Sequence, residues 1–337
     1  MLHPRTTILL TLLLALLVGQ GELFSQGRVT YMTEGQVARG AVRIDALENA
    51  IGFLTDPLCA GRATGTRGGI ETGMWIERRM KSQGLLPLSG NYAHSFRSKA
   101  GAVGRNIMGL FPANGSYPSS RYIVVMANFD GLGILKGTLY PGADTNASGV
   151  AALLSLGDML KQMTSLGKKY STSIIFVAVD SRQQGMSGSE FMLREIRNGT
   201  LKDPSSGRVI RQENISLVVT LDQVGSTLSP IHKTRPDYLI MLGGDTRLNS
   251  FAESSNAIKE IKLDLGLDYY GSRDFTRMMY RTMGDQKTFV EGGFPTVVFT
   301  SGITMLNNKS GDTLSTLDLP VLRKRIWLIF HFLERVA

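Results

Sequence analysis

Asn128 with Asp130, Asp144 with Thr145, Arg182 with Gln183, Asp222, and Asn308 stand in polar stretches that follow apolar, β-branched runs of this 337-residue chain. Carboxylates can orient, take up a proton or hold a metal. Carboxamides and hydroxyls fix a ligand by hydrogen bonds, and a guanidinium pairs with a carboxylate in a fork. Gathered in one cleft, these types make a polar binding site. Other chemistries lack their residues. GMSGS at 185–189 has no glycine on the far side of its central serine, which a nucleophile elbow requires. GRATGTRGG at 61–69 has neither the GxGxxG spacing nor a phosphate-loop lysine. Asp130, Asp144 and Asp285 read as orienters, turn formers or caps rather than as an acid and base pair. Met278, Met279 and Met283 read as core packing, and lone Cys59 as a small buried side chain.

The elements that must position these residues are legible as an alternation. YIVVMAN (122–128), TSIIFVAV (172–179), ISLVVTL (215–221), YLIML (238–242) and PTVVFT (295–300) have the length and β-branched content of buried central strands. GVAALLSLGDMLKQM, SEFMLREIRN and LPVLRKRIWLIFHFLERV read as helices, the second with Ser187 or Ser189 near its cap and the last with Pro320 in its first turn. Strands alternating with helices predict a three-layer αβα fold with a mainly parallel central sheet. Ligand sites in such sheets lie beyond the carboxyl ends of strands, where these polar stretches fall.

The order of these segments resembles a known family. LTDPLCAGRATGTRGGIETGMWIERRMKSQGLLPL (54–88), GRNIMGLFP (104–112) and PGADTNASGVAALL (141–154) are similar to successive blocks of the clan MH di-zinc exopeptidases, the bacterial leucyl aminopeptidase and glutaminyl cyclase group. The resemblance implies their fold, and in that family a glutamate activates water beside two zinc ions held by imidazole and carboxylate ligands. Taken residue by residue, it puts Asn128 where the family has a histidine two residues before an aspartate, here Asp130. Thr145 takes the place of the carboxylate that bridges the metals, while its neighbour Asp144 remains. The family's Glu-Glu pair, base then ligand, falls on Arg182 and Gln183; the next ligand persists as Asp222; and the last histidine falls on Asn308, four residues before Asp312-Thr313. One metal ligand of five is kept, and the base has become a cation.

A count independent of alignment agrees. The chain holds four histidines, His3, His94, His232 and His331, and none stands at a strand-end position. Carboxamides and a hydroxyl are weak zinc donors, so the expectation is a site without metal or cofactor. In it, Arg182 pairs with Asp222 and also with Asp144, because a buried carboxylate needs a partner.

Composition sets the remaining bounds. With 42% hydrophobic and 19% charged residues the chain can bury a large core. The net charge of +9 comes without a dense basic run interleaved with aromatics, which argues against nucleic-acid binding. MLHPRTTILLTLLLALLVGQGELFSQ (1–26) has the layout of a secretory signal peptide with cleavage between Gly19 and Gln26, and no cysteine follows to carry a lipid. The expected organisation is therefore a signal peptide over 1–26 and one aminopeptidase-like domain over 27–337, exported to the periplasm or beyond, with no transmembrane anchor after processing. The expected function is binding of a peptide terminus or a small polar ligand. The alternatives are an active exopeptidase or aminoacyl hydrolase with altered chemistry around Arg182, Asp222 and Asp130, and a scaffold in an envelope complex.

Overall fold

Alternate residues of each central strand join opposite layers. In YIVVMAN, Ile123, Val125 and Ala127 belong to one buried cluster, and Tyr122, Val124 and Met126 to another. Ile174, Phe176 and Ala178 divide from Ile175, Val177 and Val179 in the same way. Both faces of the sheet are therefore apolar, and both must be covered by helices. Burial of each such side chain contributes about 1.5–3 kcal/mol.

The computed structural model describes residues 33–227 and 234–337. The leader 1–26, with His3, and His232 lie outside them. Two compact units divide the chain, Met1–Gln36 and Val37–Ala337. Of the first, 33–36 are described and begin helix α1 (Glu34–Gly40).

The helices that follow are α2 (Ile44–Thr55), α3 (Arg67–Ser82), α4 (Ser148–Ser165), α5 (Ser187–Asn198), α6 (Thr246–Asn256), α7 (Arg273–Thr282), α8 (Gln286–Glu291) and α9 (Leu319–Val336). The strands are β1 (Leu86–Pro87), β2 (Ala93–Arg97), β3 (Val103–Phe111), β4 (Tyr122–Asn128), β5 (Gly133–Leu135), β6 (Thr138–Tyr140), β7 (Ser173–Val179), β8 (Ile215–Leu221), β9 (Tyr238–Leu242), β10 (Asp264–Leu267) and β11 (Thr296–Thr300). Nine of them form one sheet in the order β1-β3-β7-β4-β8-β11-β9-β10, with β2 on β3; β5 and β6 form a separate hairpin. The centre β7-β4-β8-β11 is parallel throughout, and antiparallel pairs join it to β3 on one side and β9 on the other. The fold is a mixed α/β layer structure with a mostly parallel central sheet.

Helix ends follow their sequence signals in part. Asp318 caps α9 by accepting from Val321 N (3.0 Å), with Pro320 in the first turn. α5 begins at Ser187, so both serines lie near its cap, but neither side chain caps it. Met186, at φ 59°, holds the cap position, and Ser187 and Ser189 instead donate to the carbonyls of Gln184 and Met186. Cys59 is buried, with its thiol against Phe53 O (3.1 Å).

Two buried arginines hold the loops beyond the strand ends. Arg62 donates to Phe129 O, Leu54 O, Pro141 O and Gly142 O at 2.6–2.9 Å. It thereby ties the stretch after β4 to the stretch before α4. Arg325 of α9 donates to Val224 O (2.8 Å), Ser226 O (2.9 Å) and Pro236 O (3.1 Å), gripping the stretch after β8. Burial lowers both guanidinium pKa values to about 10. Arg62→Met keeps the bulk but leaves four carbonyls without their donor, so it should lower unfolding free energy by about 4 kcal/mol in a urea titration. A loss under about 1 kcal/mol would show that the clamp is dispensable.

Candidate functional site

Beyond the carboxyl ends of β4, β7 and β8 the chain turns sharply, and several turn residues carry side chains where glycine is the easy choice. Ser181 (φ 63°), Met186 (φ 59°), Gln223 (φ 53°) and Asn308 (φ 56°) hold left-handed backbone. Each costs on the order of 1 kcal/mol, supplied by the packed sheet beneath. The turns enclose a cavity of about 240 Å³. Thr145, Arg182, Gln183, Asp222 and Asn308 line its polar side, and Met186, Met279, Met283, Val298 and Ile303 its apolar side.

At its floor Arg182 bonds Asp222 in a fork, Nη1 to Oδ1 at 2.7 Å and Nη2 to Oδ2 at 2.8 Å. Nη1 also donates to Asn128 Oδ1 at 2.9 Å. The pair is little exposed, 15% for the Arg182 side chain and 8% for that of Asp222. Burial pulls the guanidinium pKa down, but the charge and hydrogen bonds of Asp222 outweigh it and hold Arg182 above its ordinary value.

Asn128, Asp130 and Asp144 lie behind the lining. Asn128 joins the floor to Asn146, whose Nδ2 donates to Asn128 Oδ1 (3.1 Å) and Leu221 O (2.9 Å). Asp130 is fully buried and accepts from Gln183 N through Oδ2 (2.9 Å), while its Oδ1 has no partner among the described residues. Burial, and then the charge of Asp180, push its pKa up to about 7. Asp144 does not reach Arg182. Its Oδ1 accepts from Gly225 N (2.8 Å), Ser226 N (3.2 Å) and Ser148 Oγ (3.0 Å), while its buried Oδ2 has no partner among the described residues; burial and the charge of Asp312 raise it to about 6. Asp312, buried in its turn, accepts from the backbone N–H of Asp144 (2.8 Å) and Thr145 (3.0 Å) and fixes that turn.

Sequence reading passed over several groups here. Asp285, read as a turn or cap residue, is buried beside Arg182, and burial raises its pKa to about 6 despite that cation. Gln223 and Gln286 line the cavity, and each has a buried side-chain carbonyl oxygen without a partner among the described residues. Gln286 Nε2 donates to Met279 O (3.0 Å) and Met283 O, which ties α8 to the end of α7. No spacing marks these residues, because they come from α8 and from a turn that only the packed sheet brings to the floor.

A zinc pair needs imidazole and carboxylate donors with free lone pairs. Here both oxygens of Asp222 are taken by a guanidinium, and Asn128, Thr145, Gln183 and Asn308 offer only neutral oxygens. His94 pairs with Glu195 and His331 with Glu334, both away from the cavity lining. Among the described residues no group of three or more His, Cys, Asp or Glu could hold a metal ion. The residues present do not fit two zinc ions.

Two outcomes test this electrostatics. Arg182→Ala strands a buried carboxylate and should cost about 3–5 kcal/mol in chemical unfolding. The volume-matched double change Arg182→Met with Asp222→Leu should recover most of that loss, and an equally unstable double variant would show that the pair itself is not the cause. Asp130, Asp144 and Asp285 titrate higher in the fold than the ordinary carboxylate value of 3.8. The folded state therefore binds more protons between about pH 4 and 7, so stability present at acid pH is lost as pH rises through that range. The urea midpoint should be higher at pH 5 than at pH 8, and Asp130→Asn should flatten the difference; a midpoint rising with pH would contradict it.

The model of peptidase family M28 matches residues 106–333. A probable zinc metalloprotease of Pyricularia oryzae is 25% identical over 220 residues, covering 58% of this chain; the chain spans only 40% of that relative's length. Among solved structures, LapB from Legionella pneumophila superposes with a TM-score of 0.67 at 18% identity, over 91% of this chain and 76% of that one. An aminopeptidase from Aneurinibacillus sp. strain AM-1 gives 0.65 at 13% identity, over 90% and 96%. Porphyromonas gingivalis glutaminyl cyclase gives 0.61 at 15%, over 88% and 99%.

Proposed function

This chain belongs to peptidase family M28, and with the ion pair at the cleft floor as premise we propose that it is a non-catalytic member that binds a peptide terminus or a small polar ligand. The observation that carries this reading is the guanidinium of Arg182 seated on Asp222 and Asn128. By resemblance, those positions would serve a metal pair and its base. A cation covalently part of the chain there neutralises the remaining carboxylate, and neither a metal-bound water nor a base in the cleft is left to attack a peptide bond.

The cavity suits binding. Arg182 and Asp222 cancel each other's charge, so a ligand need not bring a counter-ion for either. Amides of Gln183, Gln223, Asn307 and Asn308 offer directional hydrogen bonds, while Met279, Met283, Val298 and Ile303 accept one apolar group. The alternative of altered hydrolytic chemistry would need a base in reach of the ligand, and Asp130 does not line the cavity. The leader-like segment 1–26 supports an exported protein. No helix among the described residues is long and apolar enough to cross a membrane.

The test is zinc content per chain on protein purified without chelators, paired with hydrolysis of a mixed aminoacyl substrate panel. Zinc well below one ion per chain and no chelator-sensitive turnover are expected. About two zinc ions with chelator-sensitive turnover would overturn the reading.

A further inference from the structure

A second cavity, of about 260 Å³, lies between α3 and the β2–β3 pair and shares no lining residue with the cleft. Most of its lining precedes residue 106, where the family match begins. Its apolar wall is Ile70, Gly73, Met74, Ala93, Ile107 and Phe129. Charged groups at its edge are Glu77, Arg105 and Asp180.

Those charges are not equivalent. Asp180 is already spent within the protein: Oδ1 accepts from Thr64 Oγ1 (2.7 Å) and Ser181 N (2.7 Å), and Oδ2 from Arg105 N (2.8 Å). Glu77 pairs with Lys81 one helical turn on, at 3.5 Å. Arg105 and Ile107 stand two residues apart on β3, so both side chains leave the same face toward α3. Among the described residues the Arg105 guanidinium donates no hydrogen bond and makes no ion pair within 4.0 Å, acting on Asp180 only as a nearby charge. It is the cation of the lining, with its donors open, and its fork matches a carboxylate.

Gly73 gives an independent reason to see the space as kept open. It sits in the middle of α3, where glycine costs about 1 kcal/mol relative to alanine. Packing does not demand it: an added Cβ would meet Ile107 at 3.6 Å and Phe129 at 3.8 Å, ordinary contact distances. Gly68 and Gly69 in the same helix differ, since a Cβ there would lie 2.1 Å from Cys59 O and 2.4 Å from Ala63 O. Glycine at 73 therefore serves the cavity and not the helix contact.

We propose that this cavity binds a small monocarboxylate with an apolar body, its carboxylate on Arg105 and its body between Gly73, Ile107 and Phe129. The volume equals that of roughly nine liquid waters at about 30 Å³ each, enough for a short aliphatic chain. The wall supplies apolar burial, and Arg105 distinguishes acid from neutral analogues.

Calorimetric titration of the whole protein with octanoate, and with octanamide as the neutral analogue, tests it. Octanoate should bind at one per chain, at least tenfold more tightly than octanamide. Arg105→Gln, which keeps the backbone bond to Asp180, should remove that preference. Gly73→Ala should raise the thermal midpoint yet weaken octanoate at least threefold, a combination that a purely structural glycine would not give. If Gly73→Ala is instead destabilised, Arg105→Gln still decides the question. Absence of octanoate binding at millimolar concentration, equal binding of acid and amide, or affinity unchanged in Arg105→Gln would each overturn the proposal.

Discussion

A carboxylate buried at the end of a central strand must either hold a proton or have a cation beside it. At Asp222 the cation is Arg182, seated two-pronged at 2.7 and 2.8 Å. The rest of the site is arranged around that pair. Asn128 takes the remaining reach of Nη1, Asn146 locks Asn128 to β8, and Asp285 lies buried alongside. Because Arg182 is spent on Asp222, the other buried carboxylates near the floor lack a full counter-charge. Burial pushes Asp130 and Asp285 up to about 7 and about 6; the charge of Asp180 adds to the first shift, and that of Arg182 only partly offsets the second. A buried ion pair is weak support for stability in itself, since desolvation offsets much of its attraction. Its consequence here is geometric: it fixes where the floor's donors and acceptors point.

The scaffold can carry such a floor because its stability lies elsewhere. Apolar clusters on both sheet faces, built by residues such as Val125, Phe176 and Val219 on one side and Val124, Val177 and Val218 on the other, do not involve the site. The loops are held by arginine-to-carbonyl bonds from Arg62 and Arg325, which need no metal and no ligand. The M28 fold can therefore carry amide, hydroxyl and guanidinium groups at these strand ends without loss of its core. Fold and site answer to different constraints.

Neutral groups of Thr145, Gln183 and Asn308 line the cavity, so its polarity there carries no charge. Met279 of α7 and Val298 of β11 add apolar surface to the same lining, so polar and apolar groups share a cavity of about 240 Å³. That combination is what a ligand with one polar end and one apolar group requires.

By itself, the chain's sequence determined the sheet's central strands and the bounding helices, because the continuous apolar runs 123–127 and 174–179 can be satisfied only by burial on both faces. It also determined which residues leave the strand ends, and hence most of the floor: Arg182, Asp222 and Asn128 are adjacent to strands whose parallel order brings them together. What it did not determine was how charge would be shared there. Asp144, read as a partner of Arg182, instead accepts through Oδ1 from Gly225, Ser226 and Ser148. Asp285 and Gln286 reach the floor from an element distant in sequence, and non-glycine residues such as Ser181 and Gln223 take left-handed backbone that no local pattern announces. Only the tertiary structure decides such matters, because hydrogen-bond partners and burial depend on three-dimensional distance, while sequence patterns record only the period of apolar residues along one element.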